Sequence, residues 1–278
     1  MPSPDRLIDG IPCRADRLYR GYIFDLDGTT YLGDALLPTV AETLAALRVR
    51  GCRIAFLSNN PTHTRRAYVD RLNGMGLRVS EQDIIHSTLV MVRFLQRRMP
   101  GARLFVAGEE PLKQELSAAG FAVMDSPRVD AVIASFDRTF AYEKLQIAID
   151  AIRGGARFFA TNGDRYCPTP SGGQPDAASI IAAIEACTAT QVEAVVGKPS
   201  QHTIDAVLAE LGLPASECVM TGDRLETDVL MGLNAGMAAA LALTGATPES
   251  ALLTSPIRPT YALRQLADLL PEEALKTQ

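Results

Sequence analysis

The stretch Tyr22–Thr29, YIFDLDGT, decides the fold class of this chain because it joins a short apolar run to two carboxylates and a glycine. The apolar run predicts a buried strand, and Asp25, Asp27 and Gly28 follow where that strand ends. An aspartate in so apolar a setting is costly to desolvate unless a partner compensates its charge. A tight turn closed by Gly28 would explain the pattern structurally. A hard divalent cation, or a role as nucleophile toward phosphorus, would explain it functionally.

Outward from this stretch, short apolar runs alternate with amphipathic segments of helical length. Such alternation is typical of an α/β protein with a mainly parallel sheet. Strands are predicted at 22–24, 53–57, 193–196, 218–221 and 238–243, and helices at 38–50, 64–75, 203–211 and 227–234. A middle block adds strands at 103–107, 131–135 and 157–160 and helices at 111–119, 142–153 and 176–187.

The order of these elements predicts two domains. A discontinuous core domain comprises residues 1–82 and 192–278, and an inserted α/β domain comprises residues 83–191. The first eighteen residues, rich in proline and charge, are expected to form a loose arm.

Polar clusters follow three more of the predicted core strands. Because ligands bind outside the carboxyl ends of strands in an open parallel sheet, we expect the clusters to converge on one site. They are Ser58-Asn59-Asn60, Gly197-Lys198-Pro199 and the run from Gly222 to Asp228.

Each cluster also has a purely structural interpretation. Serine and asparagine are common helix caps, a lysine usually lies on the solvated surface, and Asp228 suits the dipole of a helix that it opens. Functionally, Ser58 and the backbone N–H groups beside it can receive phosphate oxygens. Lys198 supplies a point charge for phosphate, and Asp223 adds a further carboxylate. Their order and chemical complementarity favour the functional interpretation.

Taken together, these motifs resemble the four motifs of the haloacid dehalogenase superfamily of phosphohydrolases. DLDGT resembles its first motif, the serine of FLSNN its second, the lysine of VVGKP its third and GDRLETD its fourth. The resemblance implies a Rossmann-like core with a parallel sheet flanked by helices, and an inserted α/β cap domain of the C2 type. The phrases FLSNN, ATNGD and GDRLETD are similar to those of subfamily IIA, which contains NagD, phosphoglycolate, pyridoxal and 4-nitrophenyl phosphatases. The stretch from ATNGDRYCP to PDAASIIAAIE is most similar to bacterial sugar-phosphate phosphatases.

The resemblance also assigns roles to individual residues. It makes Asp25 the nucleophile and Asp27 the general acid and base. It implies a Mg²⁺ ion held by the Asp25 carboxylate, the Asp27 backbone carbonyl and Asp223, with Asp228 orienting metal-bound water. Ser58, Asn59 and Asn60 would bind the substrate phosphate. Lys198 would bind it too and would neutralise the charge of the nucleophile and the phosphate.

Residues of the inserted block are expected to contact the leaving group by the same resemblance. Asn162, Asp164 and Arg165 precede the Pro/Gly-rich loop 168–175, which is expected to close over the active site; an ordinary surface loop is the alternative. The histidines His63, His86 and His202 are expected to be capping or surface residues rather than ligands.

Bulk composition narrows the class of protein and its compartment. The 278 residues are 47% apolar and 21% charged, as in an ordinary globular protein, and the net charge of −5 indicates no nucleic-acid partner. The chain contains no apolar stretch long enough for a membrane span and no signal-peptide pattern. Five scattered cysteines without CxxC spacing are typical of a reduced, cytoplasmic protein.

The sequence therefore predicts a Mg²⁺-dependent phosphatase acting on a small phosphorylated metabolite, such as a sugar phosphate, through an aspartyl-phosphate. Phosphoglycolate, a nucleotide or pyridoxal phosphate is the alternative substrate, and the resemblance implies a homodimer through the cap. A 2-haloacid dehalogenase is disfavoured because it needs no Asp27, whereas a phosphomutase stays open. A catalytically silent sugar-phosphate sensor is the alternative from another class of protein.

Overall fold

The computed structural model describes residues 7–169 and 172–275 of the 278-residue chain. The described strands are β1 Leu7–Ile8, β2 Ile11–Pro12, β3 Gly21–Asp25, β4 Tyr31–Leu32, β5 Ala35–Leu36, β6 Arg53–Ser58, β7 Ile84–His86, β8 Arg103–Ala107, β9 Ala122–Val123, β10 Ala131–Ala134, β11 Arg157–Ala160, β12 Tyr166–Thr169, β13 Gly172–Pro175, β14 Ala194–Val195, β15 Cys218–Gly222, β16 Ala238–Ala242 and β17 Tyr261–Leu263. The described α-helices are α1 Val40–Val49, α2 Arg65–Gly74, α3 Ser87–Arg98, α4 Glu110–Ala118, α5 Tyr142–Arg153, α6 Ala177–Thr188, α7 Gln201–Leu211, α8 Leu230–Ala235 and α9 Glu272–Leu275.

The chain forms two compact units, one of Met1–Leu57, Val69–Ile85 and Ile204–Gln278 and the other of Ser58–Tyr68 and His86–Thr203. Each unit is built on a parallel sheet flanked by helices, so the predicted α/β fold class is confirmed. The predicted domain boundaries at residues 82 and 192 stay a prediction.

The first sheet has the strand order β17-β16-β15-β3-β6-β7, and its pairs from β17 to β6 are parallel. Strand β3 lies inside this sheet, where all five of its residues are buried. This explains why the run Gly21–Phe24 is apolar throughout instead of alternating. Because neighbouring strands run parallel, the carboxyl ends of β3, β6 and β15 lie at one edge of the sheet.

The predicted loose arm is wrong for the part of it that the structure describes. Strands β1 and β2 pair in an antiparallel hairpin, and Ile8, Ile11 and Cys13 are buried in a core cluster with Val229 and Leu241. Short hairpins of this kind are hard to recognise in a sequence because two-residue strands carry no periodicity.

The second sheet has the order β14-β11-β10-β8-β9, and all of its pairs are parallel. Its apolar core contains Phe105, Val132 and Phe158 with Ile180 and Ile184 of α6. The strand before Gly197 belongs here and not to the core sheet in which sequence analysis placed it. Ala194 pairs with Phe159 in register, and the Glu193 carboxylate accepts hydrogen bonds from the Arg157 guanidinium of β11.

The prediction that residues 168–175 form a loop is wrong in part. Strands β12 and β13 pair in an antiparallel hairpin, so most of this segment is regular structure; residues 170 and 171 of the prediction lie outside the described residues. Among the described residues, no helix is both long enough and apolar enough to span a membrane.

Candidate active site

Asp25 lies at the carboxyl end of β3, and its side chain is buried at 8% exposure. The chain turns immediately after it. The N–H groups of Thr30 and Tyr31 donate to the Leu26 carbonyl, and the Thr30 hydroxyl donates to the carbonyl of Asp25 (2.7 Å). The turn interpretation of DLDG is therefore correct as local structure, and it holds the Asp25 backbone in place.

Two further carboxylates gather beside Asp25 within the first unit. Asp223 directly follows β15, and Asp228 lies in a π-helical turn, Leu225–Val229, that leads into α8. One carboxylate oxygen from each of Asp25, Asp223 and Asp228 lies within 4.8 Å of the others, and all three residues are buried. The sequence predicted that the first and fourth motifs meet, and these residues do meet.

The π-helical turn gives Asp228 its place in the cluster. The Val229 N–H bonds the Arg224 carbonyl five residues earlier, and the Arg224 N–H donates to Asp228 Oδ2 (3.1 Å). Wide helical turns of this kind recur at functional sites. Sequence analysis predicted an ordinary helix over 227–234. It missed the widened turn because such a turn has no distinct sequence signal.

The three carboxylates fit a divalent cation by their chemistry. Like charges this close and this buried repel one another, and a hard cation with oxygen ligands removes the repulsion. Asp25 and Asp223 would hold Mg²⁺ directly, with Asp228 beside them.

Asp27 lies two residues after Asp25 but its side chain is exposed and outside this carboxylate group. Its Oδ2 accepts a hydrogen bond from the Tyr31 hydroxyl (3.3 Å). Tyr31 is itself fully buried, and the guanidinium of Arg71 lies 4.4 Å from the centre of its ring. The Asp27 carboxylate thus accepts a hydrogen bond from the hydroxyl of a buried tyrosine. Its contribution to metal binding through the backbone carbonyl stays a prediction.

The second motif continues directly from β6, whose Leu57 is the register partner of Asp25. In the second unit, the Asn60 N–H donates to Ser58 Oγ (3.1 Å), and the Asn60 carboxamide oxygen accepts from the Thr62 N–H (2.9 Å). The Tyr68 hydroxyl donates to the Asn60 carbonyl (2.9 Å) and lies 3.2 Å from Ser58 Oγ. The loop is consequently fixed by its own side chains and by one tyrosine.

Asn59 and Lys198 are brought together within the second unit. The Lys198 N–H donates to Asn59 Oδ1 (2.7 Å), and Asn59 Nδ2 donates back to the Lys198 carbonyl (3.3 Å). The Ser87 hydroxyl holds the Asn59 carbonyl (2.6 Å). Both Asn59 and Lys198 are buried, Lys198 at 5% exposure. The alternative interpretation of Lys198 as an ordinary surface lysine is therefore wrong, and the second and third motifs do meet.

Asp164 connects this pair to the segment after β11. Its Oδ2 accepts hydrogen bonds from the amides of Asn59 (3.0 Å) and Asn162 (3.1 Å). The Asn162 amide also donates to Asp176 Oδ1 (3.0 Å), and the carbonyl of the exposed Arg165 accepts from the Asp176 N–H (3.1 Å). Asn162 and Asp164 thus take part in a network that supports Asn59, and their predicted contact with the leaving group stays a prediction.

His86 departs from its prediction. It occupies the N-terminal cap position of α3 without a side-chain cap and is fully buried, with its Nε2 3.2 Å from a Glu115 carboxylate oxygen. Burial acts to raise the pKa of Glu115, but His86 and the Arg65 N–H hold it below its usual range. His86 is therefore a buried partner of a carboxylate rather than a surface residue.

Three comparisons with known proteins bear on this arrangement. A family model described as haloacid dehalogenase-like hydrolase matches residues 22–122, and one described as HAD-hydrolase-like matches residues 195–269. The chain is 37% identical over 260 residues to sugar-phosphatase AraL of Bacillus subtilis, covering 92% of this chain and 94% of that protein. The chain belongs to the haloacid dehalogenase-like hydrolase family.

Solved structures agree with this membership. The 4-nitrophenylphosphatase of Thermotoga maritima superposes with a TM-score of 0.87 at 35% identity, over 94% of this chain and 98% of that one. NagD of Escherichia coli K-12 superposes with a TM-score of 0.83 at 30% identity, over 91% and 99%. The predicted resemblance to subfamily IIA is confirmed, and the chain is an enzyme of the phosphoric monoester hydrolase class.

Four supporting features were missed by the sequence analysis: Tyr31, Tyr68, Ser87 and the segment Thr244–Thr247. All four donate hydrogen bonds to backbone or carboxylate groups of the motifs, but they lie outside the motifs themselves. The spacing of Tyr31 four residues after Asp27 was the one available signal, because a residue just beyond a turn can reach back to it.

Proposed function

We propose that this haloacid dehalogenase-like hydrolase cleaves a small phosphomonoester, with a sugar phosphate as the favoured class, through an aspartyl-phosphate on Asp25. The observation that carries the proposal is the buried group of Asp25, Asp223 and Asp228 at the end of a central strand. A carboxylate in this position can be both a metal ligand and a nucleophile.

In the first step, an Asp25 oxygen attacks phosphorus and the bond from phosphorus to the ester oxygen breaks. The leaving alkoxide takes a proton from the Asp27 carboxylic acid, so the sugar departs as a neutral alcohol. The Tyr31 hydroxyl, 3.3 Å from Asp27 Oδ2, limits the rotation of the acid.

In the second step, Asp27 acts in reverse. As a carboxylate it takes a proton from a water molecule, whose oxygen attacks phosphorus while the bond from phosphorus to Asp25 breaks. The products are inorganic phosphate and the original Asp25 carboxylate, which completes the cycle.

Charge stabilisation comes from residues of the second and third motifs. In the proposal, Lys198 places its ammonium against the phosphoryl oxygens, and Ser58 with the backbone N–H of Asn59 donates hydrogen bonds to them. When bound, Mg²⁺ supplies positive charge that offsets the carboxylates and the phosphate. The pairing of Asn59 with Lys198 supports this assignment, because the Asn59 side chain hydrogen-bonds both the N–H and the carbonyl of Lys198 and so orients its backbone.

The choice of a sugar phosphate follows relatives of this chain. AraL is named a sugar-phosphatase, and an acid sugar phosphatase of Staphylococcus aureus is 30% identical over 254 residues. The chain is also 33% identical to a phosphoglycolate phosphatase of Arabidopsis thaliana and 31% identical to a 5′-nucleotidase of Bacillus subtilis, so phosphoglycolate and nucleotides are the rival substrates.

The test is kcat/KM with Mg²⁺ across pentose, hexose and triose phosphates, phosphoglycolate, nucleotides and pyridoxal phosphate. One sugar phosphate at least about tenfold above the others, which is roughly 1.4 kcal/mol, would support the proposal. Asp25→Asn should abolish turnover, while the matched Asp34→Asn, at a fully exposed side chain of the same unit, should not. A folded, Mg²⁺-bound protein that binds sugar phosphates and turns over none of the panel would instead be the sensor.

Two further parts of the proposal rest on the sequence. Scattered cysteines without metal-binding spacing favour a cytoplasmic location, and the resemblance to subfamily IIA implies a homodimer through the inserted domain. Size-exclusion chromatography with light scattering would test the dimer, and a monomeric mass would remove it.

A further inference from the structure

The segment Thr244–Thr247, TGAT, follows β16 and contacts both the first and the fourth motif within the first unit. The Ala246 N–H donates to Asp223 Oδ2 (2.6 Å), and the Thr247 N–H donates to the Asp223 carbonyl (3.2 Å). The Thr244 hydroxyl donates to the Gly28 carbonyl (2.7 Å). We call this segment the TGAT loop. Its three hydrogen bonds act on a predicted metal ligand and on the turn after Asp25.

Glycine is required at two positions where the TGAT loop and the Asp25 turn meet Asp223. A Cβ on Gly245 would lie 2.1 Å from Asp223 Oδ2 and 2.5 Å from Asp223 Cβ. A Cβ on Gly28, which also has a φ of +83°, would lie 2.5 Å from the same oxygen. Rotation of a side chain cannot relieve a clash with Asp223 Cβ, because the backbone fixes that atom. The space around the carboxylate is therefore set by two residues that have no side chain.

We infer that the TGAT loop is the positioning element for the metal ligand Asp223, and that Gly245 and Thr244 are its positioning residues. The Ala246 N–H fixes the rotation of the carboxylate, and Gly245 lets the loop approach closely enough to make that bond. Thr244 ties the loop to the turn that carries Asp25, so two predicted ligands share one support. Loss of a group that hydrogen-bonds to a metal ligand commonly weakens metal affinity by roughly 10–100-fold.

The inference rests on the proposed function only in taking Asp25 and Asp223 as ligands of Mg²⁺. Its test is the binding of Mg²⁺ alone, measured by isothermal titration calorimetry, with the rise of Tm on adding Mg²⁺ as a second readout. Neither measurement needs a substrate. A wild-type protein that binds Mg²⁺ but hydrolyses no ester would sink the proposed function and leave the inference standing.

Gly245→Ala is expected to raise the Kd for Mg²⁺ by at least about tenfold. Gly74→Ala is the matched control, because a Cβ there meets no atom within 4 Å and the backbone is not left-handed. It should leave the Kd unchanged. Thr244→Val keeps the shape of the side chain but removes the hydroxyl, and should raise the Kd by roughly threefold. Thr244→Ser keeps the hydroxyl and should restore wild-type affinity.

Two results would overturn the inference. One is a folded Gly245→Ala variant that binds Mg²⁺ as the wild type does. The other is an unchanged Kd in Thr244→Val; a lower Tm beside it would assign the Thr244 hydroxyl to stability alone, and an unchanged Tm would assign it no role. If Gly245→Ala does not fold, the Thr244 pair decides the question, because neither of those substitutions adds volume near Asp223.

Discussion

Replacing Asp164 with alanine would separate two roles that its carboxylate can have. Sequence analysis predicts that Asp164 contacts the leaving group of the substrate. In the structure its Oδ2 holds the amides of Asn59 and Asn162, and Asn59 in turn pairs with the backbone of Lys198. If that support is its role, the substitution will weaken the binding of every phosphate, whatever alcohol is attached to it.

The magnitude follows from the hydrogen bond to Asn59, because of the two bonds that are lost only this one acts on the residue that pairs with Lys198. A hydrogen bond to a charged group contributes roughly 1.5–3 kcal/mol, and the lower end applies here because Asp164 is only half-buried. The Asn59 amide keeps its second acceptor, the Lys198 carbonyl, at 3.3 Å. We therefore expect a loss of about 1.5 kcal/mol, or roughly a tenfold weaker affinity for phosphate.

The assay is competitive inhibition by inorganic phosphate, measured beside kcat/KM for three esters with different alcohols. The inhibition constant should rise about tenfold and the three esters should lose activity in parallel. Asp164→Asn keeps one acceptor oxygen and should change these values by less than about threefold. An unchanged inhibition constant, with activity lost toward one ester only, would refute the supporting role and restore the leaving-group contact.

Three further substitutions test single contacts. Tyr31→Phe removes the hydrogen bond to Asp27. It should lower kcat for a sugar phosphate several-fold more than kcat for 4-nitrophenyl phosphate, because the nitrophenolate leaving group needs no proton. Equal losses of kcat would count against Asp27 as the acid. Tyr68→Phe should lower the free energy of unfolding by about 1 kcal/mol in urea titrations, and no change would show its hydroxyl bonds to be neutral. The Arg103 guanidinium donates hydrogen bonds that lower the pKa of Asp130 from 3.8 to about 2. The pair therefore stabilises the folded protein above about pH 4, and this stabilisation is lost as the pH falls toward 2. Arg103→Gln should raise the pKa of Asp130 in an NMR titration, and an unchanged pKa would contradict the assigned cause.

The fold could be predicted from the sequence where buried strands are long and apolar. The strands at Arg53, Arg103 and Arg157 begin where they were predicted to begin, because each runs from a charged residue into an apolar stretch. Assignment of a strand to a sheet was less secure. Strand β14 has two residues and joins β11, through partners that no local pattern could reveal.

The motif residues of the site could be predicted because charge at the end of an apolar strand is unusual. Their supports could not, apart from the spacing of Tyr31 four residues after Asp27, which was the one available signal. Tyr31, Tyr68 and the TGAT loop act through a hydroxyl or a backbone N–H, and such contacts depend on the folded path of the chain rather than on residue type. Lys198 was predicted to follow a core strand, yet it reaches its partner Asn59 from a strand of the second sheet.

The central claim is that Asp25 forms a covalent bond to phosphorus. Protein mixed with Mg²⁺ and a radiolabelled phosphate ester, quenched in acid within a single turnover and digested, should yield one labelled peptide that mass spectrometry maps to Asp25. The label should be absent from Asp25→Ala. Steady turnover of the ester with no labelled peptide at any quench time, or turnover that survives in Asp25→Ala, would contradict the account.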